Sequence, residues 1–407
     1  MPQVAAEQAF DAGRHVARHF DALPTMARSL DLLDGITHAV PVLPPIVRDM
    51  PLALYGAGNL GRMARDFLKG VWLDFDFVFD RNTATLKESP DWQGMTLYHP
   101  DEVPEALKGS HLLLVSVVLA PYVPIESALL AGGFAHVMPF YDFTENFRSI
   151  HPLSNGWFAA DFDDNDRAMA RHVLEGWGDD VSRAHYLAFL AWRRLRQEWT
   201  FETAPVTIDD RFFIPEILSV VTDQEVFVDG GAHHGSVTRK FSDLVRGRWK
   251  RVVAIEPDQA NSEILLATID AHWPDSTGSR PDVLGCVLGA STGTAAFHNG
   301  LGYASQVSPT GRDAVQMQSI DHLGLQPTFI KLHLEGFELE ALKGARQTLL
   351  KDRPIIVATV YHNDDGIWRT PLWLMKTLPD YRFLFRLHSY CGTSAVIYAI
   401  PVERIRR

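Results

Sequence analysis

Seven apolar, strand-like runs follow one another in the C-terminal part of the chain: "VFVDG", "VVAIEP", "VLGCVLG", "FIKLHL", "PIIVATVY", "RFLFRLH" and "AVIYAI". The first five alternate with stretches long enough to cross over a sheet, which implies parallel strands joined by right-handed connections. Only "SYCGTS" separates the last two. That is too short for a crossover, so this pair is expected to run antiparallel. Five parallel strands closed by an antiparallel pair define an open α/β sheet. Its ligands sit at the carboxyl ends of the strands.

A second, smaller α/β pattern opens at "LALYG" and runs through "GAGNLGRMARDFL", "FDFVFD", "HLLLVSVVL" and "HVMPFYDF". It predicts a parallel sheet spanning about 95 residues. Residues 1 to 50 read as weakly patterned helix ending in the proline-rich "AVPVLPPIV". Between 146 and 210, aromatics and arginines crowd into "SRAHYLAFLAWRRLRQEW" without strand alternation. The expected layout is a helical segment plus small Rossmann-like domain over 1–145, a helical connector over 146–210, and a larger α/β domain over 211–407. A chain of 407 residues fits such a division.

The formal charge of −12 argues against nucleic acid and against an anionic membrane surface as partners. No run approaches the length of a spanning helix, and the N-terminus has early acids and no apolar segment of the signal-peptide kind. Cys286 and Cys391 make no disulfide framework, so the cytoplasm is the expected compartment.

Both α/β units begin with a strand running into a glycine-rich turn. The first places Gly56, Gly58 and Gly61 in G-x-G-x-x-G spacing, and Asp80 ends the next strand where a ribose diol would be read. This unit either binds NAD or a sugar nucleotide or merely packs helix against strand. The second, "VFVDGGAHHGSV", brings Asp229, Gly230, Gly231, Ala232 and Gly235. A carboxylate before the glycines would repel a pyrophosphate but suits S-adenosylmethionine (SAM), which carries an ammonium and a sulfonium. Glu256 and Pro257 end the next strand, where the acid can accept both hydrogen bonds of a ribose diol. Cys286 and Val287 fall where an adenine would lie.

Residues from about 210 onward resemble the FkbM family of SAM-dependent methyltransferases. The likeness is carried in order by "FFIPEILSVVTDQEVFVDGGAHHG", "VVAIEPD", "SIDHL", "FIKLHLEGFELEALKGA", "RPIIVATVYHNDDGIWRTP", "RLHS" and "VIYAI". It implies a Rossmann-like methyltransferase sheet and methyl transfer to a hydroxyl oxygen of a small acceptor such as a sugar or polyketide. Two positions depart from the family. His333 stands where relatives usually carry Asp, and His234 stands where close relatives often do. The N-terminal unit resembles nucleotide-binding Rossmann domains more loosely.

The fourth run sets Lys331, His333 and Glu335 along one face, an arrangement too costly for a sealed core. At a strand end beside a cleft, His333 is a candidate base, Glu335 would orient it, and Lys331 would hold their charge. Lys331 and Glu335 are alternatively a structural ion pair. Tyr361 and His362 end the next strand and offer a second base, and His388 ends the sixth run. His333, Glu335, His362 and His388 could by type ligate a metal, but no tight spacing supports one and none is expected. His233 and His234 either face solvent or lie over the SAM methionine. Trp368 and Pro371 suggest a loop with an aromatic face for the acceptor, and Tyr303, Ala304 and Ser305 a second contact. The alternatives to a methyltransferase are an enzyme or sensor working through the N-terminal unit, and a degenerate binding protein that the His333 change has silenced.

Overall fold

The computed structural model describes residues 15–45, 47, 50–153, 156–159, 161–274 and 280–405. Val226–Gly230 is buried at every position, as a central parallel strand covered on both faces must be. It lies in a seven-stranded sheet in the order Asp282–Leu284, Arg251–Ile255, Val226–Gly230, Phe329–Leu332, Ile355–Thr359, Ala395–Pro401, Tyr381–Leu387. The first five strands are mutually parallel, and Ala395–Pro401 runs antiparallel to both of its neighbours. This is the Rossmann-like sheet expected from the connection lengths.

Two of the seven runs end earlier than the sequence suggests. "VLGCVLG" breaks at Gly285, and Val287–Leu288 turns into a separate four-stranded sheet with Gly293–His298, Gln306–Val307 and Asp313–Gln318. That sheet is mostly half-exposed, so no apolar run announced it. "FIKLHL" leaves the sheet after Leu332, and His333, Leu334 and Glu335 lie beyond the strand. Glu335 sits at φ +51°, so side-chain alternation stops there.

The N-terminal sheet is fully parallel, in the order Leu97–Tyr98, Phe77–Phe79, Leu52–Tyr55, Leu112–Val115, His136–Pro139. Two expectations of helix need correction. Residues 1–14 lie outside the described residues, but Val16–Phe20 is a strand, and it pairs in parallel with Gln197–Phe201, inside the segment expected to be wholly helical. Val16–Phe20 is exposed over most of its length, so backbone pairing rather than an apolar pattern sets its conformation.

Helices Asp164–Gly176 and Asp180–Leu195 make up most of the connector, each opened by an aspartate that accepts a backbone N–H of the first turn. The second covers the outer edge of the large sheet. Ser182 Oγ accepts the N–H of Phe385 at 2.9 Å and His185 Nδ1 that of Leu387 at 3.2 Å, which closes the edge to further pairing. Three arginines at the helix end face three ways. Arg193 donates to the carbonyls of Gly156, Tyr361 and Gly392, and Arg194 to those of Ile36 and Ala39. Arg196 forms a two-pronged, fully buried pair with Asp142 at 3.0 and 2.9 Å, next to the N-terminal sheet. The crowding of arginines in the connector therefore fastens both domains to one helix.

His15 sits in the same buried polar cluster, 2.8 Å from Glu126 and 3.8 Å from Asp142. Burial opposes its charge, but the hydrogen bonds and fields of Asp142 and Glu126 outweigh that and raise its pKa. A raised histidine pKa contributes stability that is complete below the unfolded value of about 6.5 and is lost as pH climbs through the folded value. Thermal melts over a pH series should show wild type losing more stability toward alkaline pH than His15→Gln; parallel profiles would refute the charge on His15.

Candidate active site

At the carboxyl ends of the central strands lies an open cleft. Gly231 follows the first strand of the domain, Glu256 and Pro257 the second, Cys286 and Val287 the third, and His333, Leu334 and Glu335 the fourth. The small sheet supplies the opposite wall through Phe297, Gln306 and Val307.

The glycine turn owes its shape to Gly231. Its φ is +71°, and a Cβ there would lie 1.9 Å from the carbonyl oxygen of His333. The turn can therefore pass against the end of the fourth strand only with glycine at this position. Glu256, almost wholly buried, spans the turn: Oε2 accepts the N–H of His233 at 2.7 Å and Oε1 that of Asp258 at 3.0 Å. Each oxygen keeps a lone pair for a diol. Burial raises the pKa of Glu256 against the lowering effect of these bonds.

Four of the residues expected around SAM do not reach the cleft: Asp229, Gly230, Ala232 and Gly235. Asp229 is sealed beneath the turn. Its Oδ1 accepts from Lys331 Nζ at 2.8 Å and its Oδ2 from Thr238 Oγ1 at 2.7 Å. Lys331 also donates to the carbonyls of Gly230 and Gly231. It therefore pairs with Asp229 rather than Glu335 and braces the loop from below, away from any reacting atom. Gly235, at φ +83°, opens the helix Ser236–Leu244.

His333 and Glu335 do face the cleft, with side chains 20 % and 14 % exposed. His333 Nε2 and His362 Nε2 each lie 3.2 Å from the same oxygen, Glu335 Oε1. His362 stands behind them, 3 % exposed, with its Nδ1 3.7 Å from Glu338 Oε1. His333 Nε2 also meets the Tyr361 hydroxyl at 3.1 Å, and that oxygen accepts from Arg211 at 2.9 Å. Burial first, then Arg211 and His362, push the His333 pKa well below its usual value, so the ring is neutral. Burial pushes Glu335 up to about 7. Glu338 stays below the carboxyl range: burial opposes this, but His362, Thr359 and the N–H of Leu334 hold its charge. Glu335 at φ +51° and His233 at φ +50° are both left-handed without being glycine. Such backbone strain costs about 1–3 kcal/mol per residue and clusters at functional sites.

Other expected contacts lie elsewhere. His388 is bonded to Tyr398 and Thr207 and takes no part in the cluster. Trp368 is in the helix Gly366–Thr377, 1 % exposed, with its indole N–H on Asp166 at 3.0 Å, so it offers no face to an acceptor. Pro371 lies inside the same helix. Tyr303 does line the mouth of the cleft and stacks on His233 at 4.0 Å, and His234 stacks on the other side of His233 at 3.6 Å. Ser305 lines the cleft as well, with its hydroxyl donating to Asp258 at 2.7 Å, whereas Ala304 is buried. Arg211 and the wall residues Phe297 and Val307 were not legible, because none stands in a motif; Glu338 lies within "FIKLHLEGFELEALKGA", but only the fold brings it to His362.

The N-terminal glycine turn is occupied by its own chain. Asp80 Oδ2 accepts the N–H of Ala57 and Oδ1 that of Asn82, each at 2.8 Å, and the buried Trp92 donates to the carbonyl of Ala57. A Cβ on Gly61 would lie 2.2 Å from the Gly56 carbonyl, so this glycine serves helix-to-strand packing, whereas around Gly58 the space is open. Nothing here supports NAD or a sugar nucleotide.

Residues 229–392 match the family model of the methyltransferase FkbM domain. The whole chain is similar to a crystal structure of methyltransferase FkbM from Methylobacillus flagellatus KT, with a TM-score of 0.60 and 19 % identity over 92 % of this chain and 99 % of that one. At that identity the likeness shows the fold, which extends across both domains. No curated protein matches the sequence.

Proposed function

Because residues 229–392 form a methyltransferase FkbM domain, we propose that the chain transfers the methyl group of SAM to a hydroxyl oxygen of a small acceptor such as a sugar. One observation carries this: Glu256, Cys286, Val287 and Gly231 line a single cleft whose remaining end is the His333–Glu335 pair. Glu256 would take the ribose diol, Cys286 and Val287 the adenine, and Gly231 the methionine backbone. No described helix is long and apolar enough to cross a membrane.

The chemistry is an in-line displacement. The carbon–sulfur bond of the sulfonium breaks as the carbon–oxygen bond forms, sulfur leaves as a neutral thioether, and the hydroxyl proton passes to a base. Tyr361 gives its O–H to His333 Nε2, because its oxygen already accepts from Arg211. That leaves the Glu335 carboxylate as the freer acceptor, with its Oε1 3.2 Å from Nε2 of both His333 and His362. His333 becomes the positioning residue, where the strand pattern alone suggested it as base.

Calorimetry on the purified chain should detect SAM and S-adenosylhomocysteine. Glu256→Gln, which removes a charged hydrogen-bond acceptor, should weaken both by about 1.5–3 kcal/mol, roughly 10- to 150-fold. Absence of binding by wild type, or binding unchanged in Glu256→Gln, would sink the proposal.

A further inference from the structure

The geometry points to a divalent transition-metal site formed by His333 Nε2, His362 Nε2 and Glu335 Oε1. Each of the three residues offers a ligand atom within 4.8 Å of the others, and Nε2 of each histidine is 3.2 Å from the shared carboxylate oxygen. Ligand atoms held about 2.0–2.1 Å from one ion are themselves about 3 Å apart, so each of these two nitrogen–oxygen separations is that of neighbouring ligands on an ion. Two imidazoles and a carboxylate select zinc, cobalt, manganese or iron over calcium and magnesium, which prefer oxygen.

The surroundings have the form that supports a metal-bound histidine. His362 Nδ1 is buried without a hydrogen-bond partner and faces Glu338 Oε1 at 3.7 Å. Glu338 is itself fixed by the N–H groups of Leu334 and Gly336 and the hydroxyl of Thr359. A carboxylate behind the far nitrogen orients the ring and raises its basicity as a ligand. It also favours the tautomer with the proton on Nδ1, which leaves Nε2 bare toward Glu335. His333 Nε2, in accepting from Tyr361, exposes the same lone pair that would ligate an ion; uptake would displace that contact. Two imidazole nitrogens then converge on one carboxylate oxygen. Because His333 and Glu335 border the cleft, the ion keeps open positions on the ligand side.

Its role rests on the transfer proposed above, although its binding does not. An ion here would hold the acceptor hydroxyl beside the SAM methyl and make it more acidic. Ligation through Oε1 leaves Glu335 Oε2 free to receive the proton.

The full chain, stripped with chelator, would be titrated with Co²⁺ and followed by its visible d–d absorption, with Zn²⁺ stoichiometry measured by elemental analysis. One ion per chain is expected, with the spectrum lost in Glu335→Gln and His362→Gln. Affinity should fall about 10- to 100-fold in Glu338→Gln, as for loss of a carboxylate behind a ligating histidine. Melting curves check that each variant is folded; should one not fold, the remaining two decide. No uptake by wild type, or uptake unchanged in the folded variants, overturns the site. SAM binding without metal uptake would sink only the ion, and metal uptake without SAM binding only the methyl transfer.

Discussion

Glu335→Gln is expected to lower kcat by about 10²- to 10⁴-fold, the range for removing a positioned proton acceptor. SAM affinity measured by calorimetry should stay within a few-fold, because Glu256 and the walls around Cys286 and Val287 are untouched. Glutamine keeps the size of the side chain but cannot accept the proton. A variant that turns over at the wild-type rate would remove Glu335 from the chemistry. A variant that instead loses SAM would assign it to binding. The comparison also tests the unusual histidine. If Glu335→Gln is inactive while His333→Gln keeps part of the rate, His333 positions and does not take the proton.

Arg196→Ala should cost about 3–5 kcal/mol of unfolding free energy, because it leaves the buried Asp142 carboxylate without its main cation. Both side chains are 2 % exposed or less, so solvent cannot replace the lost partner. Denaturant unfolding would show the loss as a lower midpoint. Asp142→Ala should cost a comparable amount, and the double variant less than the sum of the two, since they share one interaction. Strict additivity would mean that the arginine acts mainly through its other contacts, the carbonyls of Trp192 and Trp157.

How far the sequence reached depended on whether a feature was local. The seven-strand order followed from connection lengths, and the cleft followed from strands ending in glycine or acid. Both are properties of contiguous residues. The fate of Asp229 was not readable, because its partner Lys331 comes from a strand about a hundred residues later and reaches it only once the two strands pair. The same limit hid the cluster at Glu335. His333 and His362 have no ligand spacing in the chain, and adjacent parallel strand ends bring them together. The Val16–Phe20 and Gln197–Phe201 pair failed for another reason: neither segment carries an apolar alternation, and each is ordered by the other's backbone. Trp368 was misplaced because "HNDDGIWRTP" looks like a loop, whereas its proline lies within a helix.

Arg193 has a further meaning for how this chain can be divided. Its guanidinium spans the carbonyls of Tyr361 and Gly392, both in the catalytic domain, while the first turns of the same helix block the edge at Phe385 and Leu387. Severing the chain before residue 211 would strip the donor from Tyr361, the immediate neighbour of His362, and bare a strand to self-association. The boundary drawn by the methyltransferase motifs therefore cuts through packed contacts: one connector is bonded both to the large sheet and, through Arg196 and Asp142, beside the small one.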